Sequence, residues 1–333
     1  MNRLRRPARI AAPRWLPGGH AQTIWPKLFA RLHHAAPPVL RRERWDSPDG
    51  DFIDCDWVDA PDPERQTRPL LVLFHGLEGS SASHYAQAFA SQAQQLGWGC
   101  ALPHFRGCSG ELNRAPRAYH SGDFAEIGWM LAQLRARHAG PLLAVGVSLG
   151  GNALLRWAQE AGEQAGQTVR ALAAISAPLD LAAASQAIHQ GLNRVIYTRY
   201  FLRSMIPKAL QQLQRHPGLF DGAALARARS LIEFDELVTA PLHGFRNAAD
   251  YYARASAGPQ LARLRVPSLV LNARNDPFVP FHSMPAPRRY EQAPITLWQP
   301  AHGGHVGFPT GRWPGSALGL PGSVCAWLEQ HLE

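Results

Sequence analysis

The stretch LLAVGVSLGG, residues 142–151, is a short apolar run of strand length that ends in the pattern G-x-S-x-G, and a helix-like sequence follows it at 152–161. A serine on such a sharp strand-to-helix turn has a strained backbone, so only residues with almost no side chain fit two positions before and after it. Gly146 and Gly150 meet that need. The turn presents the Ser148 hydroxyl at the carboxyl edge of a sheet, facing the N–H groups of the next helix. We therefore predict that Ser148 is a nucleophile.

Length and composition limit the class of protein. The chain has 333 residues, of which 46% are hydrophobic, which is enough for one large α/β domain or two modest ones. No segment approaches the ~18 consecutive apolar residues of a membrane span. The N-terminus starts with basic residues, but Pro7, Pro13 and Pro17 interrupt the region where a signal peptide needs an apolar run. We therefore expect a soluble protein of the cytoplasm.

The formal net charge of +9 comes almost entirely from arginine, since Lys27 and Lys208 are the two lysines. The basic residues are dispersed along the sequence, and no run alternates basic and aromatic residues as a nucleic-acid surface would. The sequence therefore predicts no nucleic-acid partner. It favours a solvated basic surface, with weak peripheral attraction to anionic membranes as the alternative. No pattern specifies an oligomeric state.

Metal and disulfide patterns are missing from the sequence. The four cysteines, which form no C-x-x-C pair, are Cys55, Cys100, Cys108 and Cys325. Their spacing argues against a zinc ribbon or a disulfide framework, and we expect reduced thiols. The histidines of HGGH, residues 302–305, have no carboxylate or thiol at ligand spacing. The sequence thus predicts no metal site and no cofactor.

Strand and helix patterns alternate along most of the chain. Residues 41–59 predict an antiparallel hairpin, because polar and apolar residues alternate after the turn signal PDG at 48–50. Besides the strand that precedes Ser148, strands are predicted at 70–75, 99–103, 169–176, 268–273 and 295–299, and helices at 85–96, 124–138, 152–161 and 321–332. This alternation predicts an α/β fold with a mostly parallel, doubly wound sheet after an N-terminal antiparallel hairpin.

The chain divides into an extension and a single domain. Residues 1–40 are rich in Arg and Pro, and their island WLPGGHAQTIWP, residues 15–26, carries two tryptophans and is expected to dock on the body. Residues 41–333 are expected to form one domain. No strand pattern occurs from about 180 to 264, where helical segments such as 202–214 and 223–233 follow one another. This helical insertion is expected to cover the sheet edge as a cap.

A serine nucleophile needs a base to remove its proton and a third group to orient that base. In sites built on a strand-to-helix turn, the acid follows a late strand and the histidine follows the final one. Asp276 and His305 occupy these two places, so we predict that they are the acid and the base. Asp180, after the strand that follows Ser148, is the alternative acid, and His302 is the alternative base. Two glycines directly before His305 favour it, because they free its loop to enter the site.

Two backbone N–H groups are expected to stabilise the oxyanion that forms during the reaction. One belongs to Leu149, the residue after the nucleophile, and the other to Leu77, in the loop after the strand at 70–75. His75 is expected to fix this loop by hydrogen bonds, because what such a loop contributes is N–H groups. Glu78 is expected to be a polar loop residue and not a catalytic acid.

Several motifs occur together in a characteristic order. They are HGLEGSSASHYA, HFRGCSGELNR, YHSGD, GVSLGGN, TAPLHGF and GGHVGF. With GHAQTIWP near the N-terminus, they resemble the YheT-like branch of the α/β-hydrolases, a group of bacterial esterases related to eukaryotic abhydrolase-domain acylglycerol and phospholipid hydrolases. The resemblance extends from about residue 15 to the C-terminus. It implies an α/β-hydrolase fold, carboxylic-ester hydrolysis without a cofactor, and a charge relay of Ser148, Asp276 and His305.

Some residues of the branch-specific motifs have no predicted chemical role. They are Arg106, Cys108, Asn113, His120 and Asp123, for which we expect a loop network beneath the site. The chain also differs from some eukaryotic relatives, which carry a membrane anchor ahead of this domain; here no such anchor is expected.

The residues and the resemblance together predict a serine hydrolase that cleaves small-molecule carboxylic esters through an acyl-enzyme. An acyltransferase is one alternative, because it would use the same three residues and differ only in the acceptor. A non-catalytic binding protein of the same fold is a second alternative, disfavoured because all three residues are present. Epoxide hydrolases and dehalogenases are disfavoured because they use Asp where Ser148 stands.

Overall fold

An eight-stranded sheet forms the centre of the fold. The computed structural model describes residues 10–58, 67–284, 286, 290 and 292–332. The strands are β1 (Leu40–Asp46), β2 (Phe52–Val58), β3 (Leu70–Phe74), β4 (Gly99–Pro103), β5 (Leu142–Val147), β6 (Ala171–Ile175), β7 (Ser268–Leu271) and β8 (Ile295–Trp298). Their order across the sheet is β1-β2-β4-β3-β5-β6-β7-β8. The β1–β2 and β2–β4 pairs are antiparallel and the remaining pairs are parallel, which confirms the predicted fold class.

Helices cover both faces of this sheet. The α-helices are α1 (Gly19–Phe29), α2 (His84–Gln95), α3 (Phe124–Arg137), α4 (Leu149–Ala161), α5 (Ala165–Thr168), α6 (Leu181–Ile188), α7 (Gly191–Asn193), α8 (Arg199–Arg215), α9 (Gly222–Ala226), α10 (Leu231–Phe234), α11 (Ala240–Leu242), α12 (Ala248–Ala255) and α13 (Gly319–Glu329). Helices α3 and α4 contact each other on one face, and α2 and α13 on the other. Because both faces are covered, β3, β5 and β6 are buried along their whole length.

Successive side chains of a central strand enter different apolar cores. Val72 of β3 packs in the core under α3 and α4, whereas Leu71 packs in the core under α2 and α13. This alternation follows from the strand period of two, and it explains why these strands are apolar at every position. The four cysteines, all within the described residues, are buried and form no disulfide.

The segment between β6 and β7 contains no strand and has its own small core. We call residues 181–255 the cap segment; it contains α6 to α12 and two π-helical turns, Arg194–Thr198 and Asp235–Thr239. The helix predicted at 202–214 is α8. The one predicted at 223–233 is instead two short helices, because Ser230 interrupts it: its side chain accepts the N–H of Glu233 and starts α10. None of the described helices is both long and apolar enough for a bilayer crossing.

Candidate active site

Ser148 lies at the tight turn between β5 and α4. Its φ of 53° and ψ of −117° are costly for a residue with a side chain. Backbone groups approach this turn closely: a Cβ on Gly146 would lie 2.5 Å from the carbonyl oxygen of Gly150, and a Cβ on Gly150 would lie 2.5 Å from the carbonyl oxygens of Phe74 and His75. Both glycines are therefore required by sterics, and the half-buried Ser148 side chain stands at the carboxyl edge of the sheet.

A continuous chain of hydrogen bonds links Ser148, His305 and Asp276. Nε2 of His305 lies 3.0 Å from Oγ of Ser148, and Nδ1 lies 2.9 Å from Oδ2 of Asp276. The other carboxylate oxygen accepts the backbone N–H groups of Phe278 at 2.7 Å and Val279 at 3.1 Å. Because the carboxylate contacts Nδ1, the ring is turned so that Nε2 faces the hydroxyl. The structure thus brings the three predicted residues together.

Helix α1 fixes the loop that carries His305. Oγ1 of Thr23 accepts the His305 N–H at 2.8 Å, and Oε1 of Gln22 accepts the Gly303 N–H at 2.9 Å. Gly304 has a φ of 61°, and a Cβ there would lie 2.7 Å from a carbonyl oxygen of α1. Gly304 therefore allows the close approach of α1, whereas Gly303 makes room for the ring of Phe308. The predicted reason for both glycines was the freedom of the loop. Gln22 and Thr23 were not predicted from the sequence as functional residues, although the GHAQTIWP motif contains both.

The two alternative residues lie elsewhere. Asp180 caps the N-terminus of α6, where its carboxylate accepts a backbone N–H at 3.0 Å. His302 is exposed to solvent, three residues before the buried His305. Among the described residues, no three His, Cys, Asp or Glu side chains are grouped as a metal ion would require. The geometry therefore favours Asp276 and His305 as the partners of Ser148.

His75 connects two loops next to the turn that carries Ser148. Its Nδ1 donates to the carbonyl oxygen of Gly76 at 2.8 Å, and its Nε2 accepts the N–H of Phe105 at 3.0 Å. Burial lowers the pKa of His75 to about 3, so the ring is neutral and keeps both hydrogen bonds at physiological pH. These hydrogen bonds hold the loop in place, which is the role predicted for His75 from the sequence.

The predicted oxyanion donors, Leu77 and Leu149, both line the cavity that adjoins the triad. No described group accepts a hydrogen bond from either amide. Leu149 is the first residue of α4, where N–H groups have no intrahelical acceptor. The loop of Leu77 is fixed by its neighbour Glu78, whose N–H donates to Tyr119 at 2.8 Å and whose carboxylate accepts from Lys208 of α8 at 2.8 Å. Both amides are thus available to a ligand oxygen.

Comparison with known proteins agrees with this architecture. A family model described as the alpha/beta hydrolase fold matches residues 69–311. The chain belongs to the α/β-hydrolase family. It is 40% identical over 319 residues to "Putative esterase YheT" of Escherichia coli (strain K12), covering 94% of this chain and 91% of that protein, which confirms the YheT-like branch that the motifs indicate.

More distant relatives and a solved structure extend the comparison. The chain is 31% identical over 288 residues to "Phospholipase ABHD3" of Mus musculus, covering 84% of this chain and 69% of that protein. The structure of the Pyrococcus furiosus esterase Pf2001 superposes with a TM-score of 0.55 at 13% identity, covering 89% of this chain and 94% of that one. At that identity the likeness shows the fold alone.

Two adjoining cavities lie between the sheet edge and the cap segment of this α/β-hydrolase. The first contains Ser148 and His305, and its other lining is mainly apolar. The second extends beneath α8 towards the loop at 106–120. Lining residues common to both are Leu77, Leu149, Met205, Asp235 and Tyr251. These shared residues mark the place where the two cavities meet.

Asp235 is the acidic residue at that meeting place. Its carboxylate accepts hydrogen bonds from Thr239 at 2.6 Å and Tyr252 at 2.7 Å. Burial raises the pKa of Asp235 to about 6, because both partners are neutral hydroxyl groups that offset only part of the desolvation cost. The junction of the two cavities is therefore close to neutral in mildly acidic conditions.

A buried charge network lies behind the second cavity. Arg106 donates to Asp51 at 2.7 Å and to Glu126 at 3.1 Å, and Asn113 donates to Asp51 at 3.1 Å. Burial and the charge of Asp123 raise the pKa of Glu126 to about 8. These bonds connect the loop at 106–117 to Asp51, which directly precedes β2, and to α3. Three of the branch-specific residues, Arg106, Asn113 and Asp123, thus belong to this network.

The remaining two branch-specific residues have other contacts. The His120 ring lies 4.3 Å from the His243 ring of the TAPLHGF motif, and burial lowers the pKa of both histidines to about 3. Burial raises the pKa of the Cys108 thiol to about 12, which makes it an unreactive core residue. His120 therefore packs the loop against the cap segment, whereas Cys108 belongs to the core under α3 and α4.

A second cluster of serine, histidine and aspartate was not foreseen from the sequence. Asp56 of β2 accepts hydrogen bonds from Ser81 at 2.6 Å and His104 at 2.8 Å through one carboxylate oxygen. Arg42 of β1 contacts both carboxylate oxygens, at 2.7 and 2.9 Å. All but Arg42 are buried. The cluster joins β1, β2 and the loops after β3 and β4.

Proposed function

We propose that this α/β-hydrolase is a serine hydrolase that cleaves carboxylic esters. Ser148 is the nucleophile, His305 the general base, and Asp276 the residue that orients it. The observation that carries the proposal is the hydrogen-bonded chain from the Ser148 hydroxyl through the imidazole to the carboxylate, with links of 3.0 and 2.9 Å. A serine hydroxyl is a weak nucleophile alone, and this chain supplies the missing base.

The reaction proceeds through an acyl-enzyme. His305 Nε2 removes the hydroxyl proton as Ser148 attacks the ester carbonyl, and Asp276 stabilises the imidazolium that forms. The amides of Leu77 and Leu149 donate to the oxyanion of the tetrahedral intermediate. His305 then gives the proton to the leaving alcohol, and an activated water releases the acid. No step needs a cofactor.

We infer that the substrate carries an apolar acyl chain. The lining of the first cavity is mainly hydrophobic, with Leu181, Phe201 and Met205 among its residues, and such a surface favours alkyl groups over charged ones. Two relatives bear names that refer to lipid esters, "Phospholipase ABHD3" of Mus musculus and "Monoacylglycerol lipase" of Saccharomyces cerevisiae. Both observations support a lipid-like ester.

An ester panel tests the proposal. Purified protein is assayed on p-nitrophenyl esters of increasing acyl length, beside Ser148→Ala as the matched control. We expect turnover by the parent, a preference for acyl chains longer than acetyl, and free acid as the product. Equal rates for parent and Ser148→Ala would contradict the mechanism. The same assay with glycerol present separates hydrolysis from acyl transfer. If a glycerol ester formed in preference to free acid, the activity would be acyl transfer.

A further inference from the structure

The outer face of one cap helix carries large apolar side chains in solvent. Helix α7, the π turn Arg194–Thr198 and α8 form one continuous run at 191–215. Leu192, Val195, Ile196 and Tyr200 on this run are 64%, 54%, 40% and 53% exposed. Isolated exposed apolar residues are ordinary, but a cluster on one face marks an interaction surface.

Arginines without acidic partners accompany these side chains. Arg194, Arg199 and Arg203 are exposed and form no ion pair with any carboxylate in the described part of the chain. They border a surface groove whose lining is otherwise largely apolar. The guanidinium groups are therefore free to bind an external anion.

Helix α1 and the Trp313 loop extend the same surface. Nζ of Lys27 donates to the Tyr200 hydroxyl at 2.9 Å and joins α1 to the cap helix. Next to it, Leu28 and Phe29 are 60% and 48% exposed, and the Phe29 ring lies 6.1 Å from Trp313, which is 62% exposed. We call this the aromatic–basic surface: Lys27, Leu28, Phe29, Leu192, Arg194, Val195, Ile196, Arg199, Tyr200, Arg203 and Trp313.

The sequence leaves this surface without acidic neighbours along its own segments. Residues 1–42, 181–220 and 292–328, which supply all of it, contain no Asp or Glu. Several arginines elsewhere form ion pairs, as Arg42 does with Asp56. The basic residues are dispersed along the sequence, but the fold gathers an unpaired group of them beside exposed aromatic rings.

We propose that the aromatic–basic surface docks the protein on an anionic phospholipid bilayer. Trp, Phe, Tyr and aliphatic side chains enter the boundary between headgroups and acyl chains, while Arg and Lys pair with lipid phosphates. A nucleic acid could pair with the arginines but would not provide an apolar environment for the exposed aliphatic side chains. A symmetric second copy would bring the same arginines face to face, which costs free energy. An anionic bilayer satisfies both halves of the surface.

The surface adjoins the candidate active site. Tyr197, on the buried side of the same helix, packs 4.4 Å from Phe278, whose ring lies 4.2 Å from that of His305. Docking would therefore place the bilayer next to the helix that packs against the candidate active site. The inference itself does not depend on the proposed catalysis, because binding is measured without turnover and Ser148→Ala is expected to bind like the parent.

Vesicle co-sedimentation tests the charged half of the surface. Parent protein is expected to pellet with vesicles of equimolar phosphatidylcholine and phosphatidylglycerol at low salt, and to be largely released at high salt. R194E/R199E/R203E should lower the partition coefficient by more than roughly 100-fold, since the loss of each cation near an anionic surface removes roughly a fivefold factor and each new glutamate is repelled by the same surface. The matched control is R68E/R170E/R265E, which changes the net charge by the same amount. These arginines precede β3, β6 and β7 and therefore lie at the opposite edge of the sheet. The control should bind within about threefold of the parent.

The apolar half needs a separate variant. L192S/V195S/I196S keeps every charge and should weaken binding to the same vesicles by roughly tenfold or more. Because all substituted side chains are exposed, thermal unfolding of the variants should match that of the parent within a few degrees. A comparison of lipids tests the parent protein without any variant. The parent should bind anionic vesicles and should not bind vesicles of pure phosphatidylcholine.

Four results would overturn the proposal. Parent protein could fail to pellet with anionic vesicles, or the opposite-edge control could lose binding as fully as R194E/R199E/R203E. The apolar variant could bind like the parent, which would leave only ionic adsorption. Finally, light scattering could show a parent dimer that I196D converts to a monomer, which would make a second copy the occupant.

Discussion

The protein contains two clusters of serine, histidine and aspartate that differ in the order of their hydrogen bonds. In the candidate active site, the histidine stands between the serine and the aspartate. In the cluster at β2, the aspartate is central: Asp56 accepts from both Ser81 and His104, and Arg42 neutralises it. The residue types are the same, and only the connectivity differs.

This difference decides what each serine can do. A central histidine can take the serine proton and return it to a leaving group. Ser81 instead donates to a carboxylate that is already bound by a guanidinium, so no nitrogen base is available to it. Ser81 is buried, whereas Ser148 opens onto the cavity. We therefore propose a catalytic role for the Ser148 cluster and a structural role for the Asp56 cluster.

Replacing the two serines separates the clusters most strongly. Ser148→Ala should lower kcat on p-nitrophenyl butyrate by a factor on the order of 10⁶, because the nucleophile is lost. Ser81→Ala removes only a hydrogen bond to Asp56 and should keep kcat within about threefold of the parent. Steady-state assays on both purified variants make the measurement. A Ser81→Ala enzyme as inactive as Ser148→Ala would break the comparison.

Replacing the two aspartates should give opposite signatures. Asp276→Asn should lower kcat on the order of 10⁴-fold with little loss of stability, because the imidazole loses the carboxylate that selects its tautomer. Asp56→Asn should leave kcat of the folded protein nearly unchanged and lower the free energy of unfolding by about 2–3 kcal/mol, since a bond to charged Arg42 is weakened. Urea unfolding beside kinetics measures both, and reversed signatures would contradict the assignment.

The sheet and the turn at Ser148 could be predicted because both have strong local sequence patterns. Apolar runs such as β3 and β5 identify buried parallel strands, and the glycines around Ser148 match a turn that excludes side chains. Asp276 and His305 followed from their place after late strands. Boundaries differ from prediction by a few residues, as at α13, because helix ends depend on caps.

Long-range contacts could not be predicted in the same way. Nothing local to Gln22 and Thr23 indicates that they bind the loop of His305, some 280 positions later. The Asp56 cluster joins residues from two strands and two loops, so no spacing rule marks it. The aromatic–basic surface arises from segments that meet through contacts such as Lys27 with Tyr200. Such groupings are properties of the fold.

The contribution of Asp56 to the free energy of unfolding should depend on pH. Burial acts to raise the pKa of this carboxyl, but hydrogen bonds from Arg42, His104 and Ser81 bring it below its ordinary value. A pKa lower in the folded state contributes stability that is full above about pH 4 and lost as pH falls further. The stability gap between parent and Asp56→Asn should therefore shrink below about pH 4. Urea unfolding across this range measures it, and a constant gap would contradict the account.

Asp235 offers a third and smaller contrast, because no cation of the described residues pairs with its carboxylate. Its folded-state pKa of about 6 exceeds its ordinary value of 3.8, so ionisation destabilises the fold as pH rises through this interval. Asp235→Asn should raise the free energy of unfolding by about 1–3 kcal/mol at mildly alkaline pH, and the gain should fade towards about pH 4. Thermal unfolding at both extremes tests this. A variant less stable than the parent in alkali would contradict it.

Labelling with a fluorophosphonate tests the central claim most directly, since the probe reacts with an activated serine in the folded protein. Peptide mass spectrometry should find the adduct on Ser148 and none on Ser81, and His305→Ala should abolish it while His104→Ala should not. An adduct on another serine, or undiminished labelling of Ser148 after His305→Ala, would contradict the account.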